Sequence, residues 1–157
     1  MITKQLITIL TSFSHLFLSM SYMILNITNL SGKSKTFLHP PNFIFSFVWT
    51  TFYIIFGLSN LKILYDHNLS NNLKIKIINQ SIIESLLHWL WLFTNSILFI
   101  NFNYKTISNL ILTYIIYFSF IRSYYLKKAS LFLHNIYIPY KLWIIYALFL
   151  DIFSLYI

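Results

Sequence analysis

The residues with the most chemical potential in this chain stand three or four positions apart. Glu84, His88, Trp91 and Asn95 follow one another at intervals of four, three and four, which on a 3.6-residue period puts all of them on one face of a helix. Pro139, Trp143, Ala147 and Asp151 keep a four-residue interval, as do Phe45, Trp49, Tyr53 and Gly57. Trp and Tyr join a flat apolar body to a hydrogen-bonding edge, so three such stripes facing one another would suit a planar, hydrophobic ligand with polar substituents. The same residues have plainer uses. Glu84 with His88 could be a buried pair that fixes helix register, Trp49 and Trp143 could be interfacial anchors, and a lone His15 is the kind of residue that hydrogen-bonds between helices. Glu-x-x-x-His is also metal-ligand spacing, but beyond Asp151 no further ligands are apparent, and no metal site is expected. With Gly32 and Gly57 as the only glycines, the nucleophile elbow, the phosphate-binding loop and the dinucleotide fingerprint are all excluded, and no catalytic residue is assigned.

The elements that must carry these stripes are set by the solvent. Of 157 residues, 58% are hydrophobic and 9% charged, against about 25% charged in soluble domains. Such a chain cannot clothe a water-facing surface, and lipid is the solvent that its composition fits. The formal charge of +8 is not a nucleic-acid signal. Its basic residues sit at the edges of apolar runs, where Lys and Arg orient membrane helices, rather than in a dense basic face. Cysteine is absent, which removes disulfides and thiolate metal sites. Ile, Asn, Lys, Phe and Tyr abound as AT-rich codons would make them, so the four tryptophans carry more weight than the other aromatics.

About 20 apolar residues cross the hydrocarbon core, and five segments meet that standard: Gln5 to Leu30, Asn42 to Leu64, Ile77 to Ile100, Thr106 to Leu126 and Pro139 to Ile157. The expected fold is all-α, one domain over 1–157, an integral membrane bundle of five transmembrane helices. The first segment reads as a retained helix, since it lacks a small-x-small cleavage site. Pro40-Pro41 and Pro139 stand where helices two and five would begin, positions at which the missing N–H costs nothing. With five crossings, Lys4, Lys62, Lys74, Lys76, Arg122, Lys127, Lys128 and Lys141 collect on one side and Lys33, Lys35 and Lys105 on the other. In a bacterial inner membrane that asymmetry would leave the N-terminus in the cytoplasm.

Two stretches resemble a known family. His39-Pro40-Pro41-Asn42-Phe43-Ile44-Phe45-Ser46-Phe47-Val48-Trp49-Thr50-Thr51-Phe52-Tyr53, with Gly57 beyond and Lys35 upstream, is similar to the TspO/MBR segment (translocator protein, tryptophan-rich sensory protein) in which a proline pair opens the second helix. Pro139-Tyr140-Lys141-Leu142-Trp143, leading to Ala147 and Asp151, is similar to that family's Pro-Tyr-x-x-Trp-x-x-Phe-Ala-x-x-Leu-Asn. Glu84 to Trp91 aligns with Gln-Leu-x-Leu-Asn-x-x-Trp, so that Glu84, His88 and Asp151 stand where the family usually has neutral amides. The terminal sterol-recognition stretch is incomplete, and a second Leu133, Tyr137, Lys141 pattern is weak.

The resemblance implies a five-helix bundle whose interior binds porphyrin or haem, and in some members sterols, as sensor, regulator or transporter in a bacterial inner membrane or a mitochondrial-type membrane. By that carry-over Pro40, Pro41, Trp49, Tyr53, Glu84, His88, Trp91, Trp143, Ala147 and Asp151 are the expected ligand-binding residues. No cofactor is required. The expected partners are the small hydrophobic ligand, the bilayer and a second copy of the chain, although no GxxxG argues for the dimer. Two other readings are a light-dependent porphyrin-degrading enzyme and a proton-coupled transporter or channel subunit with Glu84, His88 and Asp151 as relay. An acid beside His88 would favour the imidazolium and strengthen binding of a carboxylate-bearing ligand toward mild acidity.

Overall fold

The computed structural model describes residues 8–25, 40, 42–97 and 102–153, and among these every regular element is an α-helix. The first, α1, comprises residues 8–12 and Ser14–Leu25. Its ladder runs through Phe13, whose N–H donates to the Ile9 carbonyl at 3.0 Å and whose carbonyl accepts from Phe17 at 3.0 Å. Four more follow: α2, Asn42–Tyr65; α3, Asn71–Ile97; α4, Phe102–Ala129; and α5, Leu131–Phe153.

Short polar side chains set the joints. Between α2 and α3, Asp66 accepts the Asn68 N–H at 2.9 Å and Ser70 caps α3 by accepting the Leu73 N–H at 3.4 Å. Lys74 Nζ reaches back to the Leu64 carbonyl at 3.2 Å, which satisfies an orphan acceptor at the end of α2. Ser130 is the whole joint between α4 and α5. Its N–H donates to Leu126 at 2.7 Å as the last bond of one helix, and its Oγ accepts from Leu133 at 3.4 Å as the cap of the next.

Helices therefore extend beyond the apolar runs that announce them. α3 starts at Asn71 rather than Ile77, and the loop expected over Lys127 to Ile138 is helical except at Ser130. Outside the hydrocarbon core a helix needs no apolar residues, and Lys, Asn and Ser there cost little. In consequence Pro139 lies inside α5, not at its first turn. It leaves the Asn135 carbonyl without its intrahelical donor, on the exposed face of the helix.

Polar and charged side chains share the interior with the hydrophobic core, while many large apolar ones face outward. Asn60, Ser81, Glu84 and Arg122 are 0% exposed while Phe43 and Phe47 are 73% and 71% exposed. Lipid satisfies the apolar rim, and polar groups are left to satisfy one another inside. Among the described residues two helices are long and apolar enough to cross a membrane, Ser46–Tyr65 and Leu131–Phe153. α3 and α4 bury Ser81, Glu84, Ser85, His88, Ser108, Ser119, Arg122 and Ser123, and these lower their average hydropathy alongside the Lys and Asn residues that both helices carry.

α3 packs on α4, α4 on α5, and α1 on α3. α2 and α5 are joined instead by large side chains, with Phe56 edge-on to Tyr140 at 4.6 Å and Trp49 to Tyr140 at 6.3 Å. α1 closes on α2 at Gly57, where a Cβ would run into the Phe13 ring.

Candidate functional site

The polar interior begins with an ion pair. Arg122 Nη1 of α4 meets Glu84 Oε2 of α3 at 3.3 Å, both side chains fully buried. Tyr137 of α5 donates to the same oxygen at 2.6 Å, and Arg122 Nη2 donates to Asn60 Oδ1 of α2 at 2.9 Å. Asn60 Nδ2 in turn donates to Ser81 Oγ at 2.8 Å and to the Ser12 carbonyl of α1 at 3.0 Å. One network thus touches all five helices. The Arg122 guanidinium also lies over the Phe56 and Tyr137 rings, 4.8 and 5.1 Å from their centroids, where the ring faces supply further negative potential.

An aromatic cluster adjoins this network. Trp49 contacts Tyr53 at 5.7 Å, His88 at 5.1 Å and Trp91 at 5.7 Å between centroids. His15 of α1 stacks on Tyr53 at 5.6 Å and meets His88 edge-on at 5.4 Å. Tyr140 closes the cluster from α5, its hydroxyl 3.2 Å from His88 Nε2. His88 Nδ1 lies 2.8 Å from the Glu84 carbonyl. A carbonyl only accepts, so Nδ1 carries the proton and Nε2 accepts from Tyr140. Glu84 contributes its backbone to His88 and its carboxylate to Arg122, so the acid expected beside the imidazole is engaged elsewhere.

The residues singled out in the sequence do not all come together. Trp49, Tyr53, His88 and Trp91 share the cluster and are buried. Glu84 belongs to the ion-pair network, and Ala147 is buried on α5. Asp151 is half-buried toward one end, where its Oδ2 accepts from Trp91 Nε1 at 3.4 Å and Ser108 Oγ at 3.2 Å. Trp143 is half-buried, flanks the core, and pairs with Tyr146 at 5.5 Å. Pro40 is half-buried before α2; Pro41 lies outside the described residues, as do the side chains of Phe45 and Asn95. Among the described residues no group of three His, Cys, Asp or Glu side chains is arranged to hold a metal ion.

The inward face of α5 differs from the stripe read in the sequence. Leu133, Tyr137, Tyr140, Ile144, Ala147 and Leu150 are buried and Pro139 is exposed. Spacings of four, three, four, three and three announce that face, and the rarer Pro and Trp drew attention to a neighbouring one. Arg122, counted among the flanking charges, is a core residue. His15, expected to hydrogen-bond between helices, has neither ring nitrogen partnered although it is only 1% exposed.

Comparison with known proteins gives one result. The model of the TspO/MBR family matches residues 6–157, nearly the whole chain. No curated protein and no solved structure matches it.

Proposed function

Given that the chain belongs to the TspO/MBR family and is thereby a membrane protein, we propose that it spans the bilayer five times and binds a planar tetrapyrrole among α1, α2, α3 and α5. The observation that carries this reading is the buried convergence of Trp49, Tyr53, His88, Trp91 and Tyr140 from three helices. Aromatic faces give a flat ligand stacking area, and the hydroxyl oxygens of Tyr53 and Tyr140 among them, which keep lone pairs to accept with, give it polar anchors. α2 and α5 meet through side chains rather than backbone, so rotation of Trp49, Phe52 and Tyr140 can part them without unfolding either helix. The Glu84, Arg122 and Asn60 network would hold the helices together beside the site. A porphyrin or haem brings the light absorption and, when metallated, the metal; the protein supplies a dry aromatic enclosure. Sterols are the second ligand class, and a bacterial inner membrane or a mitochondrial-type membrane is the proposed location.

Light-dependent porphyrin degradation has one observation in its favour: Trp49 and Trp91 touch each other within the site, where an excited ligand could draw an electron from either. Titration of the purified protein with protoporphyrin tests binding. Saturable quenching of tryptophan fluorescence is expected; a linear response equal to that of an unrelated membrane protein would refute it. Illumination yielding a new absorbing product with the wild type but not with Trp49→Phe would favour the enzymatic reading.

A further inference from the structure

Two histidines meet in the aromatic cluster, and only one of them is satisfied. His88 donates from Nδ1 to the Glu84 carbonyl at 2.8 Å and accepts at Nε2 from Tyr140 at 3.2 Å, so both nitrogens are engaged. His15 is 1% exposed and neither of its nitrogens has a hydrogen-bond partner. Its ring is held on three sides, stacked on Tyr53 at 5.6 Å and set edge-on to Phe56 at 5.2 Å and His88 at 5.4 Å. Three residues earlier, on the same face of α1, the Ser12 hydroxyl is likewise buried without a partner.

A buried polar group left unpaired carries a free-energy penalty, and packing alone does not account for it. A phenylalanine would fill the same aromatic niche with no unpaired atom. A neutral imidazole always presents one nitrogen lone pair. Indole nitrogens only donate, cysteine is absent from the chain, and the His88 lone pair is taken. Among the described residues of the cluster, His15 therefore offers the nitrogen lone pair that remains available.

We infer that His15 is an axial ligand through which this site takes a metal-bearing tetrapyrrole with an open coordination position, such as ferric haem. This rests on the reading of the cluster as a tetrapyrrole site. The bond formed joins an imidazole nitrogen to the metal, one water leaves the metal, and no electron is transferred. His88 serves as a hydrogen-bonded wall of the site, its tautomer fixed by the Glu84 carbonyl.

The test uses purified full-length wild type, His15→Ala, His15→Phe and, as a control in the exposed joint between α2 and α3, His67→Ala, each titrated separately with ferric haem and with metal-free protoporphyrin. Wild type and His67→Ala should show an imidazole-ligated haem spectrum. Both His15 variants should lose it, and free imidazole should restore it in His15→Ala. Haem affinity should fall at least about tenfold in His15→Ala while protoporphyrin affinity stays within about twofold. His15→Phe should melt no lower than wild type, since it deletes two unpaired atoms. An unchanged haem spectrum in His15→Ala, its loss in His67→Ala alone, or unfolding of His15→Phe would overturn the assignment. Binding of protoporphyrin without haem would overturn it and leave the tetrapyrrole site standing; binding of neither would overturn both.

Discussion

Arg122 shows what a residue's type leaves unsaid. A basic residue near the end of an apolar run normally marks an interface, and Arg122 stands four residues before the end of the expected Thr106 to Leu126 helix; the face it occupies, toward Glu84 and Asn60, is what places it inside. Once there it must be paired, and Glu84, Asn60 and Tyr137 are arranged around it. Arg122→Met leaves a buried carboxylate without its cation and is expected to cost about 3–5 kcal/mol. Glu84→Gln with Arg122→Met together should cost less than Arg122→Met alone, as measured by thermal or denaturant unfolding; additive losses would mean that the two side chains do not interact. The pair also changes the expectation for pH, because the Glu84 carboxylate faces Arg122 and Tyr137 rather than the His88 ring. Gly57 is a simpler case. Gly57→Ala pushes a methyl into the Phe13 ring and should cost about 1–3 kcal/mol, and Phe13→Ala in the same chain should recover part of that. No recovery would place the strain elsewhere.

At the scale of elements, the helical stripes of α2 and α3 were legible because their polar and aromatic members recur at three and four, and lipid cannot satisfy them. Glu84, His88 and Trp91 do lie on one buried face, as do Trp49, Tyr53 and Gly57. α5 was read less well. Its start was set by Pro139, since proline favours a first turn, whereas the helix begins at Leu131 with Ser130 as cap. Tyr137 and Tyr140 consequently went unnoticed as site residues. An interior proline costs a helix about 3 kcal/mol relative to alanine and removes a backbone bond. Pro139 faces outward, so Pro139→Ala should restore that bond with no loss of packing. Its melting temperature should be equal to or above that of the wild type, and a lowering equivalent to more than about 1 kcal/mol would show that the proline positions Tyr140 against His88.

For the whole molecule, composition announced the lipid solvent and the all-helical class, because few charged residues and long apolar runs have no other stable arrangement. The number of crossings is the part that hydropathy reads poorly: among the described residues two helices meet the measure for a span, and α3 and α4 carry buried polar faces that lower theirs. On the proposed five crossings, and with Arg122 in the core, seven basic residues would remain on the side of the N-terminus against three on the other. The native chain has no cysteine, so single cysteines report topology cleanly. Asn68→Cys and Lys127→Cys should label from one side of the membrane and Thr106→Cys from the other; labelling of all three from one side would refute the crossing of α4. The central claim is that a planar ligand lies against the buried aromatic cluster. Protoporphyrin affinity of Trp49→Leu compared with Trp89→Leu tests it most directly, because Trp49 sits among Tyr53, His88 and Trp91 while Trp89 is half-buried and stacks on Phe93. A loss of at least about tenfold is expected for Trp49→Leu and of less than about twofold for Trp89→Leu; equal losses, or a larger one at Trp89, would place the ligand elsewhere.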